Sequence, residues 1–573
     1  MASVNEVKLN RIQKLLKTLE QRDKPDETSP GSTKNDTLVA CTTARSTISC
    51  LTETPSFVTE KSMTLRQGIR LYPKAIVWSV HLSMTLVMEG YTTILIPNLF
   101  ALEPFRQQFG TPQADGKYEI NAGWQSALVN GGLVGQIFGL FAAGTLSEKI
   151  GYRRTLMVGL VAISLAIFVP YYAKTKVVLL AVYAADVCPV ALRAYLTTYV
   201  NACWVLGQLM AAIVLRGMIS NTTSVWSYRI PFALQWIFPV PISIAVWYAP
   251  ESPYWLVRQD RIPDARYALH RLRKRSSNET EEEHHYWTCD TIEKMVETDR
   301  KEKKLQSGTR YWDCFKGIDR RRTEIACMCW TIQTLCGGSI MGFSTYFFEQ
   351  AGLSSRHAFT LSLGQFALGL VGVIISWALM VYFGRRTLYL SGQALMFMIL
   401  LLIGILACVP QKHTTIKASP APGAIASSAS KTANVHPSAL NWVIASLLLI
   451  FTLTYDATVG PICYSLVSEI PSTRLRSKTI VLPRNSYNIS GIITLFITPR
   501  MLNSTAWGWG AKAGFVWAAT SLVGIAWSWW RLPEPNGRTY DDLDELFERK
   551  IPARKFRTTG LLEKSTEQEG RQD

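Results

Sequence analysis

The chain has 573 residues, of which 48% are hydrophobic and 11% aromatic, with 18 Trp and a formal net charge of +18. Its apolar residues come in blocks rather than evenly, which excludes an ordinary soluble domain. The basic residues lie mostly beside those blocks and in one linker, so a positive-inside membrane topology explains the charge and nucleic-acid binding does not.

Residues 1–70 are polar and rich in Ser, Thr, Lys and Asp, with no apolar run long enough for a signal peptide, so the N-terminus is expected in the cytosol. A helix needs about 20 apolar residues to cross about 30 Å of hydrocarbon. Windows of that kind open near Ala75, Ala122, Leu156, Leu196, Pro231, Glu324, Ala358, Leu388, Asn441, Lys478 and Ala511. They divide the chain into an N-terminal bundle at 71–255, a hydrophilic linker at 256–322, a C-terminal bundle at 323–532 and a polar cytosolic tail at 533–573. Within the linker, the DARYALHRLRKR segment reads as helix. The first span carries Glu89 in apolar surroundings, and an ionisable group at that depth costs about 2.5 kcal/mol or more unless it faces protein or a wet cavity. Glu89 is therefore a functional candidate. In the second span, closely spaced glycines let helices approach tightly, and GTLSEKIGYRRT then turns in the cytosol, where Glu148 can meet Arg153 or Arg154.

The Cys residues form no CxxC and lie mostly in or beside spans, so they read as apolar packing residues and not as metal ligands. No nucleophile elbow, phosphate loop or metal cluster supports an enzyme, and no cofactor is expected. Sequons at Asn221 and Asn503 fall in short loops placed outside, which makes them glycosylation candidates. The stretch Gln411 to Ser438 is Ala-, Ser- and Pro-rich and reads as a flexible external loop.

The two bundles share a pattern. GYRRT at 151–155 returns as FGRRT at 383–387, with Arg385 and Arg386 in the places of Arg153 and Arg154. Tyr183, Asp186, Pro189 and Arg193 repeat the order of aromatic, acid, proline and arginine seen in the stretch Tyr455 to Thr479, which ends in Glu469, Pro471 and the basic cluster Arg474, Arg476 and Lys478. Duplicated halves of apolar spans point to a transporter with its substrate site between them near the bilayer midplane. On that reading Glu148, Arg153, Arg154, Asp186, Arg193, Arg385, Arg386, Glu469 and Arg476 form cytosolic gating motifs.

The motifs MEGY at 88–91, PESPYW at 250–255, SWALMVYFGRRTLYLSG at 376–392, YDATVGPICYSLVSEIPSTRLRSKT at 455–479 and PEPNGRT at 533–539 occur in this order. Together they resemble the sugar-porter branch of the major facilitator superfamily, and most closely its fungal maltose and α-glucoside permeases, which are proton symporters. The resemblance implies an all-α membrane protein of two six-helix bundles, nominally twelve transmembrane helices, in a plasma membrane with both termini cytosolic. It places sugar-contacting residues at Gln208, Gln333, Tyr464, Asn485 and Asn488. That choice suits a pyranose, whose hydroxyls need amides that donate and accept and whose C–H face needs aromatic cover. The family's acid after MEGY is Thr92 here, which binds no proton near neutral pH, so Glu89 or Asp456 would carry any coupled proton. If position 92 is the proton carrier, the substrate equilibrates without being concentrated. Thr334 follows Gln333, and Ser339 stands where an Asn is common, which leaves sugar identity open. The function this implies is uptake of an α-glucoside or related sugar. The alternatives are facilitated transport or export of another hydroxylated metabolite, a non-transporting sensor and an inactive product.

The fourth span departs furthest. Asn441 to Glu469 supplies 28 steps before the acid in the second half, whereas Lys176 to Asp186 supplies 10 in the first. Even if all helix, Val177 to Cys188 reaches only about 18 Å against a hydrocarbon core of roughly 30 Å. The expectation is an incomplete reading of the gene or a variant whose transport is lost, with a truncated fourth helix. Sequencing the transcript tests this: about 18 extra apolar codons near Ala181, the length a full span lacks, are expected. A transcript identical to this chain, with transport intact, overturns it.

Overall fold

The computed structural model describes residues 73–113, 116–172, 193–219, 225–273, 281–306, 311–409, 439–472, 475–536, 538, 540–556 and 559. The fourth span, with Tyr183, Asp186 and Pro189, lies outside these residues, as do Asn221 and the loop at 411–438. Of Arg193 and Arg476 only the backbone is described.

All eleven apolar windows are helical or lead directly into helix. In the first half these are α1 (Pro73–Leu99), α3 (Ala122–Ile150), α4 (Tyr152–Tyr172), α5 (Arg193–Met218) and the broken pair α6 (Trp226–Ala233) and α7 (Pro239–Tyr248). Between α1 and α3 the chain bends by 72° into α2 (Glu103–Phe109), because Pro97 interrupts the hydrogen-bond ladder of α1 and Pro104 starts the next helix. A two-stranded antiparallel hairpin follows, β1 (Thr111–Pro112) and β2 (Tyr118–Glu119). Asn121 then caps α3 by accepting from the Gly123 N–H at 2.8 Å.

A compact unit begins at Ser252 and ends at Arg300. It holds α8 (Pro253–Arg258), α9 (Ile262–Leu272) and most of α10 (Glu281–Gln306). Ile262, Ala265, Ala268 and Leu269 give α9 one apolar stripe, and these residues are buried with Trp255, Trp287 and Ile292. The guanidinium of Arg273 lies 4.2 Å from the centre of the Trp287 ring, and Arg258 pairs with Asp299 at 3.7 Å.

The second half opens with α11 (Gly317–Gln333), followed after a π-turn at Thr334–Gly338 by α12 (Ser339–Gly342) and α13 (Ser344–Gln350). Next come α14 (Ser355–Tyr382), α15 (Arg385–Leu406), the pair α16 (Ala439–Ala457) and α17 (Val459–Glu469), then α18 (Arg476–Leu502), α19 (Gly514–Arg531) and the short α20 (Tyr540–Glu548). Among the described residues, six spans qualify as membrane-crossing by length and apolar composition alone, and up to seven if the bent α1–α2 pair is one span. The halves meet along two seams, α5 against α14 and α3 against α18, while α15 packs on α19 and α4 on α7. The end of the bundle that carries α2 and β1–β2 is called the hairpin end below.

One packing detail positions the first half. A Cβ built on Gly90 of α1 would lie 2.0 Å from the Trp204 carbonyl oxygen, and one on Gly207 of α5 would lie 2.0 Å from that of Val87. Backbone meets backbone here, with no room for a side chain on either helix. Gly90→Ala and Gly207→Ala are each expected to cost about 1–3 kcal/mol of overpacking, read as a lower melting midpoint of the detergent-solubilised protein. Gly159→Ala, where a Cβ meets nothing within 4 Å, serves as the control, its midpoint expected to hold or rise with the better helix former.

Candidate functional site

Two helix breaks face each other in the second half. Gly337, at φ +94°, turns the chain in a way that other residues rarely adopt, and this opens the π-turn after α11. Thr458 (φ −130°, ψ −81°) separates α16 from α17. Gln333, the last residue of α11, is buried, and its amide nitrogen donates to the carbonyls of Gly460 at 3.1 Å and Val459 at 3.5 Å. The side chain thus bridges the two breaks.

Around this bridge lie aromatic rings and amides. The Trp330 ring meets Tyr464 and Tyr487 edge-on at centroid distances of 4.9 and 5.2 Å. Asn485 and Asn488 share one face of α18 at a spacing of three residues. Both are buried, and among the described residues neither their amide nitrogens nor their oxygens have a hydrogen-bond partner. A buried amide left unpaired costs about 1–3 kcal/mol, so the pair is suited to a ligand that brings its own hydroxyls. Thr331 and Ser486 stand 2.9 Å apart, and Thr334 donates to Ser490 at 2.9 Å, both ties between α11 or its π-turn and α18. Gln208 is buried on α5. The polar contacts around Gln333 do not include it.

Charged groups connect the halves. Glu89 of α1 pairs with Arg484 of α18 at 2.9 Å, and the Arg484 guanidinium also lies 5.1 Å from the Trp330 ring and 5.2 Å from that of Tyr487. Arg484 is absent from the sequence-derived candidates. Its signal was available, because an arginine several residues inside an apolar span is as exceptional as Glu89. Thr92 sits one turn from Glu89 and donates to the Glu89 carbonyl at 2.9 Å. Asp456, buried near the end of α16, accepts from the Asn201 amide of α5 at 3.3 Å. Gly369 of α14 makes room for that carboxylate, since a Cβ there would lie 2.6 Å from its Oδ2.

The repeated arginine motifs take the same form in both halves. The backbone N–H of Arg153 donates to Glu251 of PESPYW at 3.1 Å, and its guanidinium donates to the Trp247 carbonyl. In the second half the N–H groups of Arg385 and Arg386 donate to Glu534 of PEPNGRT at 2.9 and 3.1 Å, and Arg386 donates to the Trp529 carbonyl at 2.8 Å. A carboxylate at the first turn also complements the helix dipole. The acid at the Arg153 backbone N–H is thus Glu251, while Glu148 and Arg154 are exposed. Glu469 accepts from Ser465 at 2.8 Å and lies 3.7 Å from Arg385. Asn503 is fully buried, its amide nitrogen donating to Ile120 at 2.9 Å and its oxygen accepting from the Thr505 N–H and hydroxyl, so a glycan there would have to displace this contact.

Comparison with known proteins adds three findings. The family model described as "Sugar (and other) transporter" matches residues 78–547. The chain is 40% identical over 520 residues to the general alpha-glucoside permease of Saccharomyces cerevisiae, covering 87% of this chain and 79% of that protein. It is 38% identical to maltose permease MAL31 of the same yeast, covering 87% and 80%. Among solved structures, the proton:xylose symporter XylE bound to 6-bromo-6-deoxy-D-glucose aligns with a TM-score of 0.59 at 16% identity, over 82% of this chain and 99% of that one. A partially occluded inward-open XylE from E. coli aligns at 0.60 and 14%, over 81% and 99%. At such identities these structures show the fold, that of the major facilitator superfamily.

Two substitutions test which of these amides hold the protein together. Asn488→Leu removes an unpaired buried amide and is expected to raise the melting midpoint of the sugar-free protein, by up to about 1–3 kcal/mol of stability. Gln333→Leu removes the hydrogen bonds that tie α11 to the first turn of α17 and is expected to lower it. A lower midpoint for Asn488→Leu would show that this amide is structural.

Proposed function

The chain belongs to the sugar transporter family, and from that membership we propose that it carries an α-glucoside such as maltose, or a related hexose, across the plasma membrane by alternating access. The observation that carries this reading is the pair of buried, unpartnered amides of Asn485 and Asn488 beside the rings of Trp330, Tyr464 and Tyr487. A pyranose would lay its C–H face on the rings and exchange hydroxyl hydrogen bonds with the amides, with Gln333 fixing the backbone beneath. Gln208 completes the site from the first half when the halves close. The hairpin end faces outside, which leaves the GYRRT and FGRRT turns and the basic linker in the cytosol, as the positive-inside rule requires.

Sugar movement is coupled to a proton on Glu89. An unprotonated Glu89 holds Arg484, and hence α18, against α1. A proton on the carboxylate cancels its charge and releases the guanidinium to the Trp330 and Tyr487 rings, so loading from outside weakens a tie between the halves. Asp456, tied to Asn201 across the other seam, is the second carboxylate able to serve. The position of Thr92 favours the runner-up, diffusion of the sugar down its gradient without a proton.

Uptake of radiolabelled maltose, glucose and trehalose in a host lacking its own transporters tests both levels. Maltose accumulation abolished by a protonophore is the expected result, with Glu89→Gln keeping exchange of internal for external sugar but losing accumulation. Equilibration without accumulation, converted to accumulation by Thr92→Asp, would assign the missing coupling to position 92. No uptake of any sugar by protein shown at the surface would sink the transport reading.

A further inference from the structure

The hairpin end carries a cluster of charges that takes no part in the site above. Arg106 of α2 reaches Glu349 of α13 with its two terminal nitrogens, 3.2 Å to Oε1 and 3.1 Å to Oε2, and lies 3.8 Å from Oε2 of Glu119 on β2. Glu119 Oε1 accepts from the hydroxyl of the fully buried Tyr346 at 2.6 Å. Glu349 also accepts from Ser355 at the start of α14. Because α2 and β2 precede the linker while α13 and α14 follow it, the Arg106 and Tyr346 contacts cross from one half to the other. Nearby ties run the same way: Asn503 to the Ile120 carbonyl at 2.9 Å, Ser126 to the Phe496 carbonyl at 3.0 Å and Arg500 to Ser126 at 3.2 Å. The halves are therefore drawn together at this end.

Within contact distance the two carboxylates share one guanidinium, and the other cation acting on Glu119, Lys117, is exposed to water. Glu119 is only 8% exposed, so its ionised form has little water to screen it. Arg106 forks onto Glu349 and stands farther from Glu119. The charged groups that act on Glu119 are Arg106 and Lys117, with Glu349 opposing them across the guanidinium. We propose that Arg106, Glu119, Tyr346 and Glu349 form a latch that must part whenever the central site opens at the hairpin end, and that this latch closes with a proton on Glu119 and parts as the proton returns to water. The proposal rests on the alternating-access reading above.

The direction of the pH response follows from linkage. Burial pushes the closed-state Glu119 carboxyl above the usual range, against the weaker pulls of the Tyr346 hydroxyl, Arg106 and Lys117. In the parted latch the carboxyl is in water and ordinary. The closed form therefore binds the proton more tightly, is favoured at low pH, and loses that advantage as pH rises through the raised closed-state value. A single proton changes the ratio of closed to open by at most about tenfold per pH unit.

Hydrogen exchange on the full chain in lipid nanodiscs, without sugar, reads the latch directly in peptides covering 103–109 and 344–358. After correction for intrinsic exchange, wild-type protection is expected to fall as pH rises, by up to about tenfold per unit. Glu119→Gln should stay protected and flat. Tyr346→Phe, which deletes the hydroxyl that favours the ionised carboxylate, should keep the response and move it to higher pH. A flat wild-type profile, or a Glu119→Gln profile that still follows the wild type, overturns the latch. Protein that shows the response yet takes up no sugar sinks the transport reading alone, and sugar uptake with a flat profile sinks the latch alone.

Discussion

Backbone left unpaired inside a hydrocarbon layer costs several kcal/mol, and two helices of the second half are interrupted where Gln333 joins them. A side chain reaches the backbone at each break. Gln333 donates to the carbonyls of Val459 and Gly460 in the first turn of α17, and the Thr520 hydroxyl of α19 donates to that of Leu335 in the π-turn. Tied in this way, the breaks hold Trp330, Tyr464 and Tyr487 at fixed distances and set the amides of α18 beside them. Irregular backbone at this depth is tolerated only where protein or a wet cavity lines it, so the breaks and the site are one feature.

The two halves solve one structural problem twice. Each has a helix starting at a GRR-type turn, and each supplies a carboxylate from the segment after its last span to the N–H groups of that turn. Each also ends with an arginine on a tryptophan carbonyl, Trp247 or Trp529. In the second half the Arg385–Glu469 contact also brings the end of α17 into the same group. A substitution at any of these acids thus acts on two helices at once, the one it follows and the one it caps.

Much of this was legible in the chain because it is local. Apolar runs of about 20 residues announce helices wherever they fall, and the duplicated GYRRT and FGRRT announce the halves. Gln333 and Asn488 were legible as polar residues in apolar spans, although the sequence could not say that one would be satisfied by backbone and the other by nothing. What could not be read is partnership across distance. Glu148 lies five residues from Arg153 and is the partner that local spacing offers, while Glu251, which accepts from the Arg153 N–H, lies 98 residues away. Arg484 and Glu89 are separated by 395 positions, and nothing in either neighbourhood names the other. The hairpin-end cluster escaped for the same reason, since Arg106 lies 243 residues from Glu349 and Glu119 lies 227 from Tyr346.

The backbone contact of α1 with α5 makes those two helices one stave. With Gly90 against Trp204 and Gly207 against Val87 and the Tyr91 N–H, neither helix can slide along the other without a collision of main chains. Glu89 and Thr92 on one helix and Gln208 on the other are consequently held at a fixed spacing, so the carboxylate that pairs with Arg484 of α18 and the buried amide of α5 belong to one rigid piece of the molecule.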